Sequence, residues 1–256
     1  MNQAQLGLLM ALKEYELDIF TLEEVKALFK TGFEKLSGLI ENLVHKGLLA
    51  RIERGKYCRT AFRDENVIGT KLIADGAVAY WSALNLHGFT DQFPNKIFIQ
   101  SPHKKAGKSV FKVAYKFVTL EQSKIAGIIT AGQGNHAFHM TDKEKTIVDC
   151  FDRPEYSGGY EELITAFTHE PLDTLKLIEY AGRLDNKAVI KRMGYLAELT
   201  QMAGAEKFIS FARSQVNDTF TLIDPFGENS GEFIMDWKLR LNIPKENLLR
   251  IGGKDE

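Results

Sequence analysis

From Gln3 to Tyr15 the apolar residues Leu6, Leu9, Met10 and Leu12 recur at helical spacing, which predicts a first helix with those four along its core face. The next apolar stretch, TLEEVKALFK, opens on Thr21 with Glu24 three residues later. That pair forms a capping box, in which hydroxyl and carboxylate each accept from an amide that a helix start leaves without a partner. Its core face reads as Leu22, Val25, Leu28 and Phe29. After a turn around Thr31 and Gly32, a third helix is predicted from about Glu34 to Lys46, with Leu36, Leu39, Ile40, Leu43 and Val44 inward. Lys35, Ser37, Gly38, Asn42, His45 and Lys46 face outward. The spacing then shortens to strict alternation in LLARI, so that Leu48, Ala50 and Ile52 share one strand face and Leu49, Arg51 and Glu53 the other. Gly47 suits a left-handed helix cap, and Gly55 lets the chain reverse before Lys56 and Tyr57.

Three helices followed by a hairpin predict a winged helix-turn-helix over residues 1–61, the arrangement in which the later helix enters a major groove. AFRDEN, residues 61–66, is polar enough to be a connection, and residues 62–256 read as a larger mixed α+β domain. That domain begins with two short helices separated by Asp75 and Gly76. Strands are expected at KIFIQS, VFKVAYKFVTL and HAFHM. Thr141 and Glu144 form a second capping box, opening a helix that buries Ile147 and Val148. Helices at 160–167, 172–181 and 187–202 follow, and FTLID and EFIMDWKLRLNI are late strands that could close the sheet.

Charge sharpens the reading of the amino-terminal segment. Net charge is only −1, yet from Lys26 to Arg59 eight cations stand against three carboxylates, while Glu14 to Glu24 holds five acids and no cation. The wing cations Arg51, Arg54, Lys56 and Arg59, with Lys35 and Lys46 of the third helix, are expected at the DNA backbone, where they supply affinity and salt dependence. Ser37, Asn42 and His45 are the expected base readers. A second basic stretch, SPHKKAGKS, places His103, Lys104, Lys105 and Lys108 in a loop available to another polyanion contact. Its AGKS ending does not make a phosphate-binding loop, because Pro102 occupies the position of the earlier glycine.

Candidate chemistry is sparse. His136 and His139 lie three apart on an expected strand and so face opposite sides, which disfavours a shared metal with Asp142 or Asp149. The chain contains neither a nucleophile elbow nor the paired carboxylates that a nucleotidyltransferase core needs. No catalytic activity, cofactor or metal is expected. Cys58 and Cys150 read as reduced thiols, and without an apolar run of membrane length or a leader the expected location is cytoplasmic. GAVAYWSAL and DWKLRLN are apolar enough for either a core or a partner surface.

The segments LVHKGLLARIERGKY, AYWSALNLHGF, TDKEKTIVDCFDRPEYSGGYEELITAF and NKAVIKRMGYLAEL, in that order, resemble the AbiEi family of antitoxins and viral-defence regulators. The resemblance covers nearly the whole chain. It implies an amino-terminal winged helix that represses its own operon and a carboxy-terminal domain that neutralises a nucleotidyltransferase-like toxin. The implied partners are operator DNA and that toxin. Tyr80, Trp81, Ser82, Leu84, His87 and Gly88 fall in the most recognisable segment, and Glu144, Lys145, Asp149, Lys191, Arg192 and Tyr195 in later ones. Two other readings remain open: a regulator whose second domain dimerises or senses a ligand, and an enzyme that processes nucleic acid.

Overall fold

A computed structural model describes residues 1–28, 33–169 and 171–253, with the side chains of Phe33 and Glu34 outside that description. The expected core residue Phe29 and the turn at Thr31 and Gly32 therefore lie outside the described residues.

The amino-terminal unit runs α1 (Gln3–Glu14), β1 (Ile19–Thr21), α2 (Leu22–Leu28), α3 (Phe33–His45), β2 (Leu49–Glu53) and β3 (Lys56–Arg59). Its strands form an antiparallel sheet in the order β1-β3-β2. The predicted box at α2 is present: the Thr21 amide donates to Glu24 Oε2 at 2.6 Å and the Glu24 amide to Thr21 Oγ1 at 3.2 Å. The face of α1 differs from expectation. Gln5, Leu8 and Leu12 are buried, whereas Leu6 and Met10 are exposed at 45% and 62%. The helix is apolar on several sides, and on the side that turns inward Gln5 meets α3. It donates to Asn42 Oδ1 at 3.2 Å and accepts from Lys46 Nζ at 2.9 Å. Leu28, expected inside, is likewise exposed.

The hairpin carries a second correction. Leu49 and Tyr57 join the helices in one core, while Ile52 and Cys58 join Phe62, Val67, Ile99 and Tyr115 in another. The small sheet is thus buried on both faces. Leu48 is exposed, and the expected docking face of Leu48, Ala50 and Ile52 turns away from the helices. Between Arg51 and Glu53 the pairing register shifts, a bulge that bends the hairpin just before its tip. Gly47 and Gly55 adopt φ of +70° and +77°, as their positions in cap and turn require.

The remainder is mixed α+β. α4 (Glu65–Lys71), capped by Asp64, leads through β4 (Ala77–Val78) to α5 (Tyr80–Leu86). β5 (Ile97–Ser101), β6 (Lys108–Val110), β7 (Val113–Thr119), β8 (Ile128–Ala131) and β9 (Phe138–Thr141) follow. These strands form one six-stranded sheet in the order β6-β7-β5-β4-β9-β8, parallel only at β5/β7 and β4/β9. VFKVAYKFVTL, expected as one strand, folds back on itself because Phe111 and Lys112 take positive φ, and β6 and β7 become a hairpin.

Alternation along β5 divides the sheet. Phe98 faces the main helical core, and Ile97 and Ile99 face the core shared with Ile52 and Cys58. The main core holds α6 (Lys143–Asp152), α7 (Tyr160–His169), α8 (Thr174–Leu184), α9 (Lys187–Leu199) and α10 (Glu206–Ser214). The cap of α6 is Asp142, whose carboxylate accepts from the Lys145 amide at 2.9 Å. Thr141, assigned that role by spacing, belongs to β9, and Glu144 instead accepts from the Asp173 amide.

The late strands do not close the large sheet. β10 (Thr221–Leu222), β11 (Glu232–Ile234) and β12 (Leu239–Leu241) form a separate sheet ahead of α11 (Lys245–Ile251). Trp237 between them is buried, which settles DWKLRLN largely as core. Among the described residues no helix is long and apolar enough to cross a membrane.

Candidate nucleic-acid interface

Helix α3 buries Leu36, Ile40 and Leu43 and leaves Lys35, Gly38, Asn42, His45 and Lys46 exposed, with Ser37 half-buried. Asn42 and Lys46 both meet Gln5, so α1 fixes their orientation. On the other flank the Tyr57 hydroxyl donates to Glu41 at 3.1 Å and ties the helix to the hairpin. Glu41 is also exposed, so the outer face of α3 is mixed in charge.

The hairpin cations divide into two groups. Arg51 and Arg54 are exposed near the tip. Lys56 is drawn inward: its ammonium donates to the Lys71 carbonyl at 2.9 Å, at the end of α4, and lies 3.8 Å from Glu53. Arg59, expected at phosphate, pairs with the buried Asp18 at 2.8 Å and braces β3 against the α1–β1 connection. Asp18 also accepts from Asn135, which leaves Arg59 a structural partner.

The basic loop read as a separate contact lies directly against the hairpin. Lys105 pairs with Glu53, and Lys108 Nζ donates to the Ile52 carbonyl at 2.6 Å. Lys104 is exposed, and His103 lies 3.4 Å from Asp75. Glu53, passed over as an outward acid, is therefore the clasp that joins two cationic stretches some fifty residues apart. Its position opposite a lysine-rich loop was invisible to local spacing. Arg51, Arg54 and Lys104 supply positive charge to the joined surface, and Lys56, Lys105 and Lys108 hold it together.

Elsewhere the singled-out residues mostly serve the fold. Ser82 Oγ accepts from the Phe98 amide, and His87 Nε2 lies 2.8 Å from the Thr141 carbonyl. Burial lowers the pKa of His87. Lys145 and Asp149 form a buried ion pair. Lys191 is fully buried and donates to Asn217 Oδ1 at 3.0 Å and to the Thr219 carbonyl at 2.5 Å, while Arg192 reaches the Leu222 carbonyl at 2.8 Å. These two pin the segment around β10 to α9. Tyr195 packs edge-on against Trp237. His136 lies 2.7 Å from Asp64, and among the described residues no three histidine, cysteine or carboxylate side chains gather as a metal site. Both thiols are buried and unpaired, and burial pushes the Cys58 thiol up to about 12.

No protein-family model matches this chain, and no curated protein matches it. Among solved structures it is similar to the RV2827C protein from Mycobacterium tuberculosis, with a TM-score of 0.67 and 14% identity over 99% of this chain and 96% of that one. At that identity the likeness is one of fold, and it extends across both the amino-terminal unit and the larger remainder.

Proposed function

We propose that this chain is a DNA-binding autorepressor and antitoxin, with the amino-terminal unit acting as a winged helix-turn-helix. The observation that carries the DNA reading is the joined basic surface of hairpin and 103–108 loop, with the hairpin tied to α3 through Tyr57 and Glu41. Exposed cations at a hairpin tip suit phosphate contact, and Ser37, Asn42 and His45 on α3 are the proposed base readers. The Gln5 clamp favours a fixed pose for Asn42, which lowers the ordering cost of a specific contact. The antitoxin reading rests on the resemblance of the sequence segments to the AbiEi family, whose toxins are nucleotidyltransferase-like.

Fluorescence anisotropy of the full chain, with DNA from upstream of its own reading frame and with a scrambled duplex, tests the first half. Tighter binding to the upstream DNA, with the preference reduced in Asn42→Ala, is the expected result; equal affinity for both removes the operator. Growth rescue tests the second half: expression of the neighbouring gene is expected to be toxic, and co-expression of the full chain to relieve it. Point variants are preferable to truncation at residue 61, because Ile52 and Cys58 share a core with Val67 and Tyr115 and a cut would expose it. A cavity of about 510 Å³ between β1, α4 and β9 favours, as a second reading, a regulator that senses a small molecule. Operator affinity that responds to a metabolite, without rescue, would select it.

A further inference from the structure

The six-stranded sheet ends in two edges, β6 and β8, and they are built differently. β6 opens on Lys108, whose ammonium is held by the hairpin, so that edge is guarded by charge and covered at one end. β8 has no such guard. From Ile125 to Asn135 the chain carries no charged residue and no proline, and Ile128 and Ile129 are 38% and 40% exposed. Natural sheets rarely leave an apolar, uncharged edge open, because its unpaired amides and carbonyls are a template for another strand.

The direction of those groups follows from the pairing of β8 with β9. The Gly127 carbonyl accepts from the Asp142 amide at 2.7 Å, so across the trans peptide the Ile128 amide points the opposite way. Along an antiparallel strand the N–H and C=O of one residue share a side, and the side alternates from residue to residue. Ile129 is therefore turned to Met140 on β9, while Ile128 and Thr130 present both groups to the open edge. Among the described residues no backbone group outside the sheet meets either one.

We propose that β8 pairs antiparallel with β8 of a second copy of this chain, about a two-fold axis at Ile129. In that register Ile128 of each copy exchanges both hydrogen bonds with Thr130 of the other, and the two Ile129 side chains meet across the axis. The pattern is its own complement, which selects a second copy as the occupant. Two outward-facing residues flank one inward-facing residue, and a strand without charge brings no like charges into opposition when it meets itself.

The axis lies normal to the sheet, so both copies keep the same face on the same side. Ile52, Cys58 and Phe62 pack on the face that holds Ile99 and Tyr115, and the two hairpins therefore stand on one side of the joined sheet. That placement suits two half-sites on one duplex, and this consequence alone rests on the DNA reading. Pairing over the four residues of β8 falls short of the ~800 Å² per partner of a standard interface, so association is reversible, with a Kd on the order of 10–100 μM.

Sedimentation equilibrium of the full chain without DNA is expected to show a monomer–dimer equilibrium in that range. Ile129→Lys sets like charges opposite each other at the axis and should weaken association about tenfold or more. Thr130→Pro removes an outward amide and no bond to β9, and serves as the second variant if thermal melting shows the lysine variant to be unfolded. Cysteine reads the register. Ile129→Cys brings two Cα atoms to about 4.5 Å across the axis, within disulfide reach, whereas Ile128→Cys leaves them beyond about 7 Å. Cys58 and Cys150 are buried and add no background. Under mild oxidation Ile129→Cys is expected to cross-link about tenfold faster than the similarly exposed Ile128→Cys. A chain monomeric at about 500 μM, a dimer that survives both Ile129→Lys and Thr130→Pro, or equal cross-linking of the two cysteine variants would overturn the proposal. A dimer without operator preference would leave it standing and remove the DNA reading.

Discussion

Replacing Asp149 by its neutral isostere Asn is expected to stabilise the protein above about pH 6 and to flatten its response to pH. Asp149 and Lys145 lie one turn apart on α6, both only 3% exposed, and one carboxylate oxygen meets the ammonium. The other oxygen is buried without a partner. Burial outweighs the lysine and pushes Asp149 up to about 6, from an ordinary 3.8. Between those values the folded protein retains a proton that the unfolded chain has lost, so this carboxyl's contribution to stability is fully present below about pH 4 and declines as pH rises through about 6. At 1.36 kcal/mol per pH unit, the difference amounts to on the order of 3 kcal/mol.

Asp149→Asn keeps the shape and abolishes the titration, so at pH 7.5 it should gain on the order of 3 kcal/mol over the native chain and lose that advantage by about pH 4. Lys145→Met/Asp149→Leu removes both charges and should be at least as stable as the native chain at pH 7.5. Urea unfolding followed by tryptophan emission at about pH 4 and about pH 7.5 measures each quantity. An Asn variant less stable than the native chain at pH 7.5, or one whose stability varies with pH as much as the native chain's, would refute the reasoning.

Three smaller effects follow from contacts of the amino-terminal unit. Gln5→Ala, by freeing Asn42 and Lys46 from α1, should cost about 1–2 kcal/mol in urea unfolding and reduce operator preference more than affinity for random DNA. Arg59→Ala leaves Asp18 buried beside Asn135 without its cation and should cost about 2–3 kcal/mol, with calorimetric melting as the check. Cys58, its thiol pushed up to about 12 by burial, should resist alkylation at pH 8 at a rate set by unfolding, and mass spectrometry after timed quenching would expose any faster reaction.

The elements most legible in the sequence were those whose signals are local. The Thr21–Glu24 box, the core of α3, the glycines at 47 and 55 and the strand at KIFIQS depend on neighbours within a few residues, and each stands where spacing placed it. Long-range choices were not legible. Leu6 and Leu8 are equally apolar, and which of them turns inward is set by how α1 packs on α3, where Leu8 joins the core and Gln5 meets Asn42 and Lys46. LLARI alternates as read, but a sheet buried on both faces gives alternation no polar side to mark solvent. Thr141 was read as the cap of α6, but strand pairing of β9 with β8 takes it and the adjacent Asp142 caps the helix. The candidate interface suffered the same limit: each basic stretch was visible, while the Glu53 clasp that brings them together depends on tertiary contact.

The most direct test of the proposed DNA contact at the joined basic surface is the salt dependence of binding. With each phosphate contact adding about 0.9 to the slope of log affinity against log salt, Arg51→Ala/Arg54→Ala should lower the slope by roughly 2, Lys104→Ala by roughly 1, and the triple variant by their sum. The stability of all three should match that of the native chain, because none of these side chains holds the hairpin to the loop. A slope unchanged in the triple variant would contradict DNA contact at this surface, and a loss confined to Lys104→Ala would contradict the winged helix.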